Sequence, residues 1–432
     1  MVRIKETLVT AFALFSLFFG AGNLILPPQL GFNAGEFWWL VAFGFAVSAV
    51  LIPILGILGH AKLQGTMLDF ASKVSPSFSL IFCFTIYAVS ISLPSPRTAS
   101  VTHEIGISPL LHNSSISTSI VYFVLVFIFV LNRTKILDII GKYLTPGIIL
   151  ILLAIMGITL FSFPLDFGAN TFNNPMTAGI LEGYQTFDAI GAIVVGGVII
   201  TSINLKNKEA SYEQKKALIG RAGWLAGLGL LMIYTGLIFT GAVMQGEFEP
   251  TISRTSLITG ISKITLGSKA NLFLGILVSL ACFTTAVGIV AGTADFVKSR
   301  FPKSKKAYLI TALVSCFLGV LMGQFNVDYI IAIALPILMF IYPITIVLIL
   351  LNVVPEKFGS SRVFRAVVFT TILFSIPDFL GSIGLSSYIE SITRWIPLSK
   401  LSMGWVLPAL VVFILANIGK GGMHKASDLQ TK

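Results

Sequence analysis

The sequence predicts an all-α integral membrane protein, a single transmembrane domain of about twelve helices. Three observations carry that expectation. Only 11% of the 432 residues are charged and 55% are apolar, against about a quarter charged in soluble domains. The apolar runs are around 20 residues long, the length at which a helix spans hydrocarbon, and they lack the two-residue alternation of barrel strands. The basic residues, finally, alternate between the runs in a way that one topology explains.

Hydropathy and the placing of charged and turn residues give candidate spans at about 7–31, 37–60, 77–100, 116–132, 136–163, 176–203, 220–244, 270–297, 307–324, 328–352, 362–382 and 398–418. The third span has the softest boundary, because 94–112 mixes prolines with Arg97, His103 and Glu104. The first run is too long for a signal peptide and lacks a small-residue cleavage site, so it is expected to remain as the first span. Twelve spans put both termini on one side, and that side then holds 23 of the 29 Lys and Arg residues. Cytoplasmic loops carry such an excess. The net charge of +11 is therefore a topology signal rather than a nucleic-acid surface, which would gather its charge into one stripe. The longest loop, about 245–269, is short and polar, and no soluble domain can be placed.

Cys83, Cys282 and Cys316 lie inside apolar runs without metal-ligand spacing, as packing residues would. His60 falls at a cytoplasmic helix end, and His103, His112 and His424 lie near loops or the terminus. None has metal or triad spacing. Pro336 and Pro343 predict kinks in the tenth span, and Lys305-Lys306 an anchor on the cytoplasmic face.

Two spans are built to break. The first contains Gly20-Ala21-Gly22-Asn23 followed by Pro27-Pro28. Glycine costs about 1 kcal/mol in a helix interior and proline about 3, so unwinding is expected around 20–23. Non-helical backbone at membrane depth survives only where it is buried or lines a cavity. Amides at the start of a half-helix suit a carboxylate. Close helix–helix packing of small residues is the competing explanation. The sixth span holds a polar run ending in Phe187 and Asp188, with Gly191 beyond. Asp188 is either a functional intramembrane carboxylate or a cap at a helix start. The interrupted spans are numbers one and six, where two inverted five-helix repeats would put them, and matched interruptions point to a transporter's binding site. In the eighth span, Thr284 and Thr285 offer hard oxygens for a small cation, or simply bond the carbonyl four residues back. Arg97 and Glu104, two helical turns apart, form either an ion pair or a gate near the outer mouth, or else two solvated interfacial charges.

Phe19-Gly20-Ala21-Gly22-Asn23 through Pro27-Pro28, Pro96-Arg97-Thr98-Ala99 with Glu104-Ile105-Gly106-Ile107, and Thr284-Thr285-Ala286-Val287-Gly288 together resemble the bacterial branched-chain amino acid:cation symporter family, over essentially the whole chain. The resemblance implies a LeuT-type fold, with inverted repeat halves of about 7–163 and 176–352 and two extra helices over about 362–418. It implies a Na⁺-driven symporter of leucine, isoleucine and valine in the bacterial cytoplasmic membrane. Carried over by position, the amides of Ala21 and Gly22, within 20–23, would hold the substrate carboxylate, with Phe187 and Asp188 meeting the substrate from the sixth span. The carbonyls of Ser16, Phe19 and Ala281 and the hydroxyls of Thr284 and Thr285 would hold Na⁺. Membrane lipid is the other expected partner. No cofactor beyond the coupling ion, no nucleic acid and no obligate protein partner is implied.

Two other classes fit less well. A membrane enzyme would show H-E-x-x-H, clustered His and Asp, or a G-K-[ST] loop, and a channel a filter loop or rings of charge. Among transporters, the alternative is a proton-coupled carrier of another small neutral amino acid, with Asp188 as the proton carrier.

Overall fold

Helices take up nearly the whole chain, and there is no strand among the described residues. The computed structural model describes residues 4–111, 113–132, 136–206, 211–304 and 306–429. His112 and Lys305, and the basic residues Arg3, Arg133, Lys135, Lys208 and Lys432 counted in the charge balance, lie outside the described residues. Among the described residues, seven helical stretches are long and apolar enough to cross a membrane: Gly22–Leu63, Pro76–Ile107, Ser115–Asn132, Tyr212–Glu247, Asn271–Arg300, Val327–Val353 and Ser361–Ser382. Shorter apolar helices occupy Pro146–Ser162, Ala307–Gly323 and Val406–Ile418. The first and sixth expected spans are not among them as single rods, because both are interrupted.

In the first span, α1 (Ile4–Phe18) and α2 (Ala21–Ala34) are separated at residues 19–20. The break is narrower than 20–23, since Ala21, Gly22 and Asn23 already form the first turn of α2. Gly20 is extended, with φ −105° and ψ −171°. The two prolines do not end α2 but lie inside it. Each lacks an N–H, so the carbonyls of Asn23 and Leu24, four residues earlier, lose their helical donors. The helix stops where Gly35 takes φ +50°; a Cβ there would lie 2.0 Å from the carbonyl oxygen of Gly168.

The second span runs as α3 (Trp38–Ala46), a wide π turn (Val47–Leu51) and α4 (Ile52–Leu63). After the short α5 (Met67–Ser72), the third divides into α6 (Pro76–Ser92) and α7 (Pro94–Val101), which continues into a second π turn (Thr102–Ile107). Leu93, at φ −124° and ψ −71°, is held out of helical geometry by the proline that follows it. Next come α8 (Ser115–Asn132) and α9 (Ile136–Ser162). The sixth span consists of α10 (Pro175–Tyr184) and α11 (Asp188–Lys206), separated by 185–187. The remaining long helices are α12 (Tyr212–Val243), α13 (Arg254–Arg300), α14 (Ala307–Gly323), α15 (Val327–Val353) and α16 (Ser361–Ser382), then the short α17 (Ser386–Thr393) and α18 (Val406–Leu429). Helix α13 bends at Gly267, φ +80°, so much of the expected 245–269 loop is helix. Helix α15 continues through both Pro336 and Pro343.

Small residues bring backbones into contact around the broken spans, as membrane helices without a hydrophobic drive between them require. A Cβ on Gly31 of α2 would lie 1.7 Å from the Ile238 carbonyl oxygen of α12, and one on Gly179 of α10 2.2 Å from that of Val41 in α3. One buried apolar cluster joins α1, α2, α9, α12 and α13. Another joins α4, α6, α11, α15 and α16. The first break lies in the former cluster, through Phe18, Phe19 and Leu24, and the sixth-span break in the latter, through Tyr184, Phe187 and Ala189. Large apolar side chains such as Leu150, Phe161, Phe317 and Phe369 point outward, as a lipid-facing surface demands. Cys83, Cys282 and Cys316 are buried free thiols. His60 is fully buried, 2.8 Å from the Ile193 carbonyl oxygen and packed on the ring of Phe70.

Candidate functional site

The two breaks, more than 160 residues apart in sequence, touch through their polar side chains. Asn23 in the first turn of α2 donates to Asp188 Oδ2 over 2.7 Å. Tyr234 of α12 donates to the same oxygen over 3.1 Å and is also in close contact with the Asn23 amide. Asn23 and Asp188 are only 2% and 4% exposed. An ionisable group this deep needs partners, because nothing in hydrocarbon replaces its water. Asp188 therefore does more than cap α11: its carboxylate ties the sixth span to the first.

The helix starts at the two breaks differ in how their amides are satisfied. At α11, Asp188 N–H donates to Thr186 Oγ1 (3.2 Å) and Ala189 N–H to the Tyr342 hydroxyl (3.1 Å). Tyr342 in turn stacks on Tyr184 with ring centroids 4.2 Å apart. At α2, the Asn23 side-chain oxygen accepts from Gly20 N–H (3.4 Å), and no side chain caps the first-turn amides. The amides of Ala21 and Gly22 thus begin a helix, at its partially positive end, without a side-chain cap.

Arg97 occupies the space beside them. The break at Leu93 turns α7 so that the guanidinium reaches inward, and the residue is 3% exposed. Its Nη1 donates to the Gln185 carbonyl oxygen over 2.7 Å, and the guanidinium lies 5.3 Å from the Phe187 ring centroid. A Cβ on Gly22 would fall 2.4 Å from Nη2, so only glycine lets the cation approach α2 this closely. The expected alternatives for Arg97 and Glu104 both give way to this arrangement. Arg97 is buried among the helix breaks, whereas Glu104 accepts from the Thr255 hydroxyl (2.5 Å) and from Val327 N–H (2.9 Å). Nearby, Arg254 bridges Glu182 (3.0 Å) and Asp328 (2.6 Å), linking α10, α13 and α15.

The residues expected at a cation site lie on the other side of the first break. Phe19, Gly20 and Ala281, with Leu24, Ile148, Val278 and Cys282, line a cavity of about 10 Å³, room for roughly one water-sized sphere. Thr284 and Thr285 both donate to the Ala281 carbonyl oxygen, each over 2.9 Å. The Thr285 methyl lies 4.0 Å from where a Cβ on Gly20 would be. Ser16 is half-buried in the last turn of α1.

Of the residues singled out in the sequence, 20–23, Phe187 and Asp188 converge, and Phe19 and Ala281 share one cavity wall. Arg97, Gln185, Tyr234 and Tyr342 were not singled out as substrate-site residues. Arg97 carried a signal, a charge inside an apolar run. The tyrosines carried none, being ordinary members of long apolar helices.

Comparison with known proteins agrees with this architecture. The model of the family described as "Branched-chain amino acid transport protein" matches residues 3–421. The branched-chain amino acid permease BraB of Bacillus subtilis is 34% identical over 427 residues, covering 96% of this chain and 95% of that protein. The branched-chain amino acid transport system 2 carrier protein of Pseudomonas aeruginosa is 31% identical, covering 96% and 97%. Among solved structures, the inward-facing conformation of Mhp1 superposes with a TM-score of 0.61 at 13% identity, covering 96% of this chain and 91% of that one. At that identity the likeness concerns the fold, which is of the LeuT type. The match along nearly its whole length shows that the chain belongs to the branched-chain amino acid transport protein family, a family of multi-pass membrane transporters.

Proposed function

We propose that this protein is a secondary active symporter that imports leucine, isoleucine and valine with Na⁺ across a bacterial cytoplasmic membrane, both termini lying in the cytoplasm. The observation that supports this reading most is the Asn23–Asp188 hydrogen bond joining two interrupted helices. An aliphatic amino acid needs donors for its carboxylate, an acceptor for its ammonium and an apolar wall. The open amides of Ala21 and Gly22 supply the first, Asp188 the second, and Phe187 part of the third. Discrimination by such a wall is worth only about 1–3 kcal/mol per methylene, so the three branched substrates compete for one site.

Na⁺ binds at the start of the first break, held by the carbonyls of Ser16, Phe19 and Ala281 once the Thr284 and Thr285 hydroxyls turn toward it. The halves over about 7–163 and 176–352 move against each other, and ion and substrate favour different members of the inward-open and outward-open pair.

The test is radiolabelled leucine uptake into proteoliposomes. An inward Na⁺ gradient drives accumulation, isoleucine and valine compete, and Thr284→Ala with Thr285→Ala raises the Na⁺ concentration needed. A second reading, proton coupling through Asp188, is favoured by the burial of its carboxylate against Tyr234. Uptake indifferent to Na⁺ but abolished by collapse of the pH gradient would replace the first reading with the second.

A further inference from the structure

Arg97 is out of place as a purely structural residue. It is almost wholly buried, and among the described residues no carboxylate forms an ion pair with it. Its Nε has no hydrogen-bond partner, and among the described residues the guanidinium donates to a neutral carbonyl, that of Gln185. The nearby carboxylate of Asp188 has its Oδ2 engaged by Asn23 and Tyr234. Meanwhile the guanidinium is pressed against Gly22, at the positive end of α2, whose amides no side chain caps. Two positive groups facing each other in a low-dielectric interior repel unless an anion sits between them. Asp188 attracts the guanidinium from a distance but makes no contact ion pair with it; a buried cation so placed is costly, and one in a transmembrane segment marks a substrate or ion pathway.

Building on the transport reading above, we infer that Arg97 is the ionic partner of the substrate's carboxylate, closing on it together with the amides of Ala21 and Gly22. The guanidinium fork and the helix start form a two-sided anion clamp, and Asp188 stands across it for the ammonium. The site matches a zwitterion charge for charge. Glycine at 22 suits this arrangement, since a Cβ there would displace the fork from its place beside the amides. It also gives Phe187 a purpose: its ring lies against the guanidinium, and cation–π contact keeps a buried cation in position without neutralising it. In the structure Nη1 rests on the Gln185 carbonyl, so drawing the fork onto a carboxylate pulls on the break of the sixth span. Substrate binding at the first break is thereby felt at the second. The chemical class that fits is an α-amino acid with a free carboxylate. The amide and the methyl ester of leucine keep the ammonium and side chain but lose the anion.

The test uses the full chain in proteoliposomes, with leucine and leucinamide competing against radiolabelled leucine in the wild type, Arg97→Gln and Arg97→Lys. In the wild type, leucinamide competes at least about 30-fold more weakly than leucine, as expected when a site built for a charged group meets an analogue lacking it. Arg97→Gln raises the leucine KM by about 30-fold or more and changes leucinamide inhibition by less than about 3-fold, so the preference collapses. Arg97→Lys keeps the charge without the fork and falls between. Equal losses for both ligands would mean that Arg97 only props the helix break, and would overturn the inference. So would wild-type leucinamide competing as well as leucine. If Arg97→Gln does not reach the membrane, Arg97→Lys decides: a reduced preference supports the clamp, and an unchanged preference overturns it. A wild type that takes up no leucine under either ion gradient would remove the transport reading itself, an outcome distinct from all of these.

Discussion

The breaks in the first and sixth spans do the same job by opposite means. In the first, local composition suffices: Gly20 sits extended in a conformation open to any residue, and α2 restarts with its amides uncapped. In the sixth, the residue that breaks the helix is Phe187, at φ +63°, a left-handed conformation that costs a non-glycine residue about 1–2 kcal/mol. Tertiary contacts hold it there: Arg97 over its ring and on the Gln185 carbonyl, Thr186 and Tyr342 on the amides of α11. The first break leaves its helix start without a side-chain cap, whereas the second has its first amides bonded and presents a carboxylate. A break that is open and one that is braced should answer differently to mutation.

The largest effect is expected at the residue that joins them. Asp188→Asn keeps the shape but removes the anion proposed to meet the substrate's ammonium, and leucine uptake should fall by about 100-fold or more while the protein still extracts as a monodisperse species. Uptake within tenfold of wild type would separate Asp188 from the substrate. Next comes Gly22→Ala, whose Cβ would fall 2.4 Å from Arg97 Nη2. A rise in KM of about tenfold is expected, with little change in the amount of folded protein.

Phe187 offers a finer cut, because strain and contact can be separated there. Phe187→Gly relieves the left-handed backbone, worth about 1–2 kcal/mol, but loses a buried ring worth about 3–5 kcal/mol, so thermal stability in detergent should fall by a few kcal/mol. Phe187→Ala loses the ring and keeps the strain, and should be the less stable of the two. Equal melting temperatures for the pair would show that the backbone there is not strained. The smallest effect is predicted for Gly20→Ala, since the backbone suits alanine and the nearest side-chain atom is 3.7 Å from the new Cβ. Its KM should stay within about twofold. A large loss there would mean that the first break depends on glycine as such.

The same contrast decides what could be read from the sequence. Helical membrane architecture, the position of the first break and a buried Asp188 at the sixth-span break were legible, because apolar run length, Gly-Asn-Pro crowding and a carboxylate in a span are local signals. The break at 185–187 was legible only as a polar run. Its cause is a phenylalanine stabilised by an arginine 90 positions away, and no window along the chain contains both. Arg97 was visible as a buried-run charge, but pairing it with Glu104 followed helical periodicity across a segment where Leu93 and a π turn disturb that periodicity. The extent of unwinding was overestimated for a related reason. Composition marks a helix as weak over several residues, but the tight packing of α2 on α12 at Gly31 restores it after only two. Tyr234 and Tyr342 became identifiable only when the folded chain brought their hydroxyls to Asp188 and Ala189.

On the reading proposed above, residues 20–23 and 185–189 form one site. Amide hydrogen–deuterium exchange of the full chain in proteoliposomes, with and without saturating leucine, tests it most directly. The two segments should gain protection together, with matching leucine dependence, while the buried interface of α2 and α12 near Gly31 stays unchanged. Protection at one segment without the other, or at neither despite bound leucine, would contradict the claim.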